Sequence, residues 1–186
     1  MKGKIGLIGF IAVVFMFAMG VAAEEAIYYA RCNLKVLDGN QITWVNWQAS
    51  TNFIPVNTKL KVTRNGSKAT LVNAESGSSY TLDMGADGDQ FLEKFVHKTQ
   101  VNIKAFPANV QASIKDTIAK IGMTKEQVYI AMGPPGYLGR DQTLNKTYKE
   151  IMSSDLWVYV RRRFTKNIGV GFDSAGKVNR TEGIYR

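Results

Sequence analysis

From residue 27 to residue 82, apolar and polar positions exchange over short distances, and turn residues interrupt them at regular intervals. Residues 27–37 (Ile-Tyr-Tyr-Ala-Arg-Cys-Asn-Leu-Lys-Val-Leu) are rich in strand formers, and Asp38-Gly39-Asn40 supplies a turn. Residues 41–47 return as a second strand. Residues 60–64 alternate, Asn65-Gly66 carries the signature of a hairpin turn, and residues 68–72 answer it. Gly77 marks another turn, and Tyr80-Thr81-Leu82 ends the set. This pattern predicts a small SH3-like β-barrel or curled sheet.

The period then changes. Phe91, Leu92, Phe95 and Val96 share one helical face, with Asp87 or Asp89 placed to cap it. Residues 99–106 read as a linker, and Pro107 opens a helix carrying Val110, Ile114, Ile118 and Ile121, ended by Gly122. Thr124-Lys125-Glu126-Gln127 is a capping box for a second helix with Val128, Ala131 and Met132 inward. Gly133-Pro134-Pro135 stops it. A polar loop over 137–154 leads to three strands, 156–164, 166–173 and 177–185. The expected fold class is α+β: a β module over 24–98 with its closing helix, a linker at 99–106, and a two-layer ααβββ unit over 107–186.

Composition narrows the chemistry. One cysteine, Cys32, excludes an internal disulfide framework and a Cys-rich zinc site. One histidine, His97, excludes His-pair metal motifs and leaves little for Ser/His or Cys/His catalysis. The charge of +9, from 24 Lys+Arg against 15 Asp+Glu, marks a basic protein that binds something. Residues 1–23 read as a secretory signal peptide. Lys2 and Lys4 give a positive start, residues 5–21 an apolar run, and Val21-Ala22-Ala23 a small-residue cleavage site. The alternative is a retained anchor, since the run is near the lower limit for spanning a bilayer. Cleavage removes two lysines and no acid, so the exported chain stays basic. The expected location is the periplasm, soluble, not lipidated and without a transmembrane span. The partners expected there are an envelope protein or an anionic lipid or wall polymer, and not nucleic acid. Cys32 is read as a buried thiol, with an intermolecular disulfide as the alternative.

The C-terminal half carries a family resemblance. The sequence Ile121-Gly122-Met123-Thr124-Lys125-Glu126-Gln127-Val128 is followed by Met132-Gly133-Pro134-Pro135 and by Asp155-Leu156-Trp157-Val158-Tyr159. The run from Val170 to Val178 (Val-Gly-Phe-Asp-Ser-Ala-Gly-Lys-Val) completes the pattern. Together they resemble the SmpA/OmlA (BamE-type) domain over about residues 108–182. That domain is similar in layout to β-lactamase inhibitor proteins. The resemblance implies a non-enzymatic role in outer-membrane protein assembly through protein and lipid contacts. The chain departs from the family in lacking its usual lipid anchor and in carrying the extra N-terminal β module.

Other motifs fall short of the chemistry they approach. Residues 171–178 are one hydroxyl short of a phosphate-binding loop, with Val178 at the position that needs Ser or Thr, and they sit in a hairpin. Asp83, Asp87 and Asp89 approach a calcium loop, but Gly85 and Lys94 occupy ligand positions. No cofactor is expected. The most informative strand is 156–164. Period two puts Leu156, Val158 and Val160 on one face and Trp157, Tyr159, Arg161 and Arg163 on the other. If the aliphatic face packs inward, the second face is a binding surface of the aromatic and arginine type found at interaction hot spots. If it packs inward instead, the two aromatics are core. Trp44 and Trp47 carry a similar choice between core and groove aromatic for a peptide or glycan. The function read from these features is a non-enzymatic periplasmic binding or scaffold protein in outer-membrane or envelope assembly. The alternatives are a cell-wall or polyanion-binding module, or a secreted hydrolase inhibitor.

Overall fold

The computed structural model describes residues 26–141, 145–161 and 166–183. The signal segment and Arg163 lie outside them. The architecture is mixed α+β, with a curled six-stranded half-barrel sheet, a four-stranded sheet and four helices among the described residues. No helix among these residues is long and apolar enough to cross a membrane.

The first sheet uses β1 (Ala26–Ala30), β3 (Gln41–Thr43), β5 (Lys59–Asn65), β6 (Lys68–Asn73), β7 (Ser79–Asp83) and β8 (Val96–His97). Their order is β3-β7-β6-β5-β1-β8, antiparallel except where β3 lies parallel to β7. Alternation is read correctly here: Leu60 and Val62 on β5, Ala69 and Leu71 on β6, and Leu82 on β7 all point into the core. Gly66, at φ +58, makes the tight β5–β6 hairpin that a side chain would strain.

The expected first strand is broken. After β1 the chain bends at Arg31–Asn33, and β2 (Leu34–Lys35) pairs with β4 (Phe53–Ile54) in a separate two-stranded ribbon. The expected strand over 41–47 ends at Thr43, and residues 44–50 are irregular. The expected amphipathic helix is also shortened. It is the single turn α1 (Asp89–Leu92), begun by Gly88 without a side-chain cap. Asp87 and Asp89 pair instead with Arg64, at 3.8 and 2.8 Å. Val96 leaves the helix because the edge of β1 offers it strand pairing, Ala30 opposite Val96 and Tyr29 opposite His97. A one-turn helix has little cooperativity with which to resist that.

In the second half, α2 (Ala108–Lys115) follows Pro107, and a 3-10 turn (Ile103–Ala105) stands where the linker was expected. α2 stops well before Gly122. Thr117 takes φ +55, its N–H reaches the carbonyl of Ile114, and Ile118 N–H reaches that of Ser113, which is a Schellman termination. α3 (Lys125–Met132) is capped as its sequence predicts. Thr124 Oγ1 accepts from Gln127 N–H at 3.3 Å, and Thr124 N–H donates to Gln127 Oε1 at 2.9 Å. The stretch expected as a loop contains β9 (Tyr137–Leu138) and α4 (Tyr148–Ser153). α4 has its own capping box, Thr147 with Glu150. β10 (Leu156–Tyr159), β11 (Ile168–Phe172) and β12 (Val178–Glu182) complete the second sheet, in the order β12-β11-β10-β9.

Buried residues from both halves form one connected cluster, from Leu60 and Leu71 through Val128–Met132 to Trp157 and Val170. Two buried asparagines tie the halves together at the ends of α2 and α3. Asn33 Nδ2 donates to the carbonyls of Ile114 (2.7 Å) and Ala131 (3.1 Å). Asn46 Nδ2 donates to the carbonyls of Asn33 and Met132, and its Oδ1 accepts from Lys35 N–H at 2.7 Å. The carbonyls of Ile114, Ala131 and Met132 belong to the last turns of α2 and α3, where a helix leaves carbonyls without intrahelical donors.

Candidate functional site

The described residues enclose an open groove of about 710 Å³. One wall is the end of the β2 segment, Val36 and Leu37, followed by Asp38 at the turn. The other is the irregular segment from Trp47 to Asn52, and Arg161 also lines the groove. Hydrogen bonds hold these pieces together. Val36 N–H donates to the Asn52 carbonyl at 2.9 Å, and Ser50 Oγ donates to the Val36 carbonyl at 2.6 Å. Gln48 N–H donates to the Val160 carbonyl at 2.9 Å. That last bond fastens the groove wall to the end of β10, so Arg161 arrives beside Trp47 from far along the chain. Trp47 is half-buried, and its Nε1–H donates to Thr43 Oγ1 at 3.2 Å, which fixes the indole.

Among the six residues singled out from the sequence, Trp47 and Arg161 meet in this groove. Trp44 does not. It packs against the core and over the backbone of Gly85, where an added Cβ would come within 2.8 Å of the indole. Alternation fails to separate the two tryptophans because residues 44–50 are not a strand.

The binding face expected on the strand over 156–164 is corrected. Trp157 and Tyr159 are fully buried, while Leu156, Val158 and Val160 are only half-buried. Trp157 Nε1–H donates to the Ile151 carbonyl at 2.9 Å, and its ring meets Phe172 and Tyr129 edge-on, with centroids at 4.6 and 6.1 Å. Tyr159 OH donates to the Gly133 carbonyl at 3.2 Å. Both polar tips are satisfied by carbonyls at helix ends, so the larger aromatic area goes inward without a hydrogen-bond penalty. Arg161 lies beyond the end of β10 and so escapes the inward face; Arg163 lies outside the described residues.

Sequence reasoning missed a second chemical feature. Lys94 is 2% exposed, with Nζ donating to Asn145 Oδ1 at 2.9 Å and lying 5.5 and 5.4 Å from the ring centres of Phe91 and Phe95. Burial pushes its pKa down to about 8, partly opposed by the negative charge of Glu150. The adjoining cavity, shared with Trp44, Tyr137 and Asn145, is about 10 Å³, enough for about one water molecule. Nothing at position 94 in the sequence marks it: the lysine falls between Phe91 and Phe95 on what reads as a helical surface.

The remaining titratable groups are accounted for locally. Cys32 is buried, which pushes its thiol pKa far up, and the thiol faces the Lys94 carbonyl at 4.0 Å. His97 Nε2 is buried without a hydrogen-bond partner, and burial followed by the charge of Arg31 holds the imidazole pKa down. Asp83 Oδ1 accepts from Gly85 N–H at 2.9 Å, which makes a turn. No group of three His, Cys, Asp or Glu that could hold a metal ion occurs among the described residues. Asp173 Oδ1 accepts from the N–H groups of Ala175 and Lys177, each at 2.9 Å, and so builds the β11–β12 hairpin from the motif that approached a phosphate loop.

Comparison with protein-family models, curated proteins and solved structures finds no match to this chain.

Proposed function

We propose that this chain is an exported, non-enzymatic binding or scaffold protein of the cell envelope, acting in outer-membrane assembly or envelope maintenance through the Trp47–Arg161 groove. The groove is the observation that carries the reading. It is open and braced by backbone hydrogen bonds on both walls, and it joins a fixed indole, a guanidinium and a polar rim. A few placed polar groups around an apolar floor are what a pre-formed ligand site requires. The positive start, apolar run and Val21-Ala22-Ala23 support export to the periplasm as a soluble, non-lipidated protein, with the net basic charge favouring an envelope partner. On this reading the curled N-terminal sheet is an SH3-like module. The C-terminal helices and strands are a BamE-type unit, supported by the Thr124 capping box and the Asp173 hairpin within the motifs that carry the resemblance.

The test is affinity capture from detergent-solubilised envelopes with wild type and Trp47→Ala, alongside a thermal melt of each and the intact mass of the exported chain. The expected result is a chain beginning at Glu24 that retains a defined envelope component, with capture lost in a variant that still melts cooperatively. Equal capture by both proteins, or an exported chain still beginning at Met1, would sink the reading.

A further inference from the structure

We propose that the Trp47 groove takes a glycan chain, with a sugar ring against the indole and its hydroxyls on the side chains of Asp38, Thr51 and Asn52. This rests on the reading of the groove as the binding site and names what it binds.

Three features select a glycan over other envelope ligands. The first is the pairing of the backbone around the groove. Leu37 N–H donates to the Gln41 carbonyl at 2.7 Å, Val36 N–H is held by Asn52, and Ser50 Oγ covers the carbonyls of Val36 and Asn52 at 2.6 and 3.2 Å. An extended peptide recognised by strand addition needs a run of free N–H and C=O groups, and both groups of Val36, the N–H of Leu37 and the carbonyl of Asn52 are already paired. The rim side chains therefore carry the recognition.

The second is the character of those side chains. Asp38, Thr51 and Asn52 are exposed on the groove rim, and together they offer a carboxylate, a hydroxyl and an amide. Such groups match a ligand that is both donor and acceptor along its edge, as a row of sugar hydroxyls is. Asp38 also sets a negative charge against Arg161 in the same groove. A phosphate-rich surface such as anionic lipid meets repulsion there as well as attraction, so a polyhydroxylated chain is the better electrostatic match.

The third is the fixed indole. A pyranose is apolar on its C–H face and polar around its rim, which fits an aromatic plate bordered by hydrogen-bonding groups. Trp47 is held by Thr43 before any ligand arrives, so little side-chain ordering is left to pay on binding. The volume of about 710 Å³ lies within the roughly 300–1,000 Å³ range of small-ligand sites and accommodates a short oligosaccharide.

The experiment titrates the full exported chain with three probes: the tetramer of β-linked N-acetylglucosamine, cellotetraose, and an acidic octapeptide. The readout is the indole N–H resonances of Trp44, Trp47 and Trp157. The expected result is saturable movement of the Trp47 signal with at least one tetrasaccharide and none with the peptide. Trp157, buried in the core, should stay fixed and report an intact fold. Asp38→Ala with Asn52→Ala should weaken binding about tenfold or more while all three indole signals stay dispersed. The inference is overturned if neither tetrasaccharide moves Trp47, if the acidic peptide alone does, or if the double variant binds as wild type. Envelope capture that depends on Trp47 without any tetrasaccharide binding overturns the glycan and leaves the groove as the site. Capture indifferent to Trp47→Ala overturns both.

Discussion

Replacing Lys94 with methionine keeps most of the buried stem and removes the charge. In the folded chain the Lys94 pKa falls from 10.5 to about 8 because burial disfavours the ammonium. The unfolded chain therefore binds one proton more than the folded chain between about pH 8 and 10.5. Stability rises with pH in that window, by up to about 1.4 kcal/mol per pH unit and about 3 kcal/mol in all. Below pH 8 both states are protonated, and the cost of the buried charge is present in full. Cys32 runs the other way. Its thiol pKa is raised by burial, so the unfolded chain loses a proton first, from about pH 8.5, and stability falls as pH rises past that point. The two terms oppose each other near pH 9, and the measurement belongs in a Cys32→Ala background. His97, with a lowered pKa, acts below about pH 6.5, and the buried tyrosines, with raised pKa values, act above about pH 10. Lys35 is also lowered by burial and shares the sign of Lys94, so the comparison is between variants at the same pH.

Urea unfolding of Cys32→Ala should then gain about 1.3 kcal/mol more from pH 7 to pH 9 than the Cys32→Ala, Lys94→Met protein, whose remaining slope includes that of Lys35. The methionine variant should also be the more stable of the two at pH 7, with the difference closing toward high pH. If the two proteins have the same pH slope, Lys94 titrates freely in the folded state, and the closed pocket of Phe91, Phe95 and Asn145 is not its environment.

Two further outcomes follow from the buried connections. Asn46→Ala strands the carbonyl of Asn33 and the N–H of Lys35, leaves the Met132 carbonyl to Gln48 alone, and should cost about 3 kcal/mol or more by denaturant unfolding, whereas an exposed asparagine such as Asn109→Ala should cost less than about 1. Thr117→Asn keeps an oxygen for Lys35 Nζ, now 3.1 Å from Thr117 Oγ1, and relieves a β-branched residue at φ +55; it should leave stability unchanged or raise it by up to about 1 kcal/mol, and a loss of more than that would mean the turn carries no strain.

The miss at Trp157 and the miss at α4 have one physical origin. Period two separates Trp157 and Tyr159 from Leu156, Val158 and Val160, but it carries no sign for inside and outside. What supplies the sign is a buried acceptor for the indole N–H, the carbonyl of Ile151 at the end of α4. With 137–154 read as loop, that acceptor is invisible, and an exposed tryptophan looks reasonable. The signal was present: Thr147-Tyr148-Lys149-Glu150 has the same capping pattern that located α3 at Thr124, and both boxes form. Hairpins and caps are legible because a few adjacent residues satisfy them, as at Asn65-Gly66, Thr124 and Asp173. The end of α2 at Thr117, the bend at Arg31–Asn33 and the groove itself are not legible in this way. Thr117 holds its left-handed turn beside Lys35, Asn33 bends the chain to reach the carbonyls of Ile114 and Ala131, and Gln48 brings Trp47 to Arg161 through Val160. Each partner lies tens of residues away. The candidate site is assembled by such long-range bonds, so periodicity names Trp47 and Arg161 as candidates but cannot bring them together.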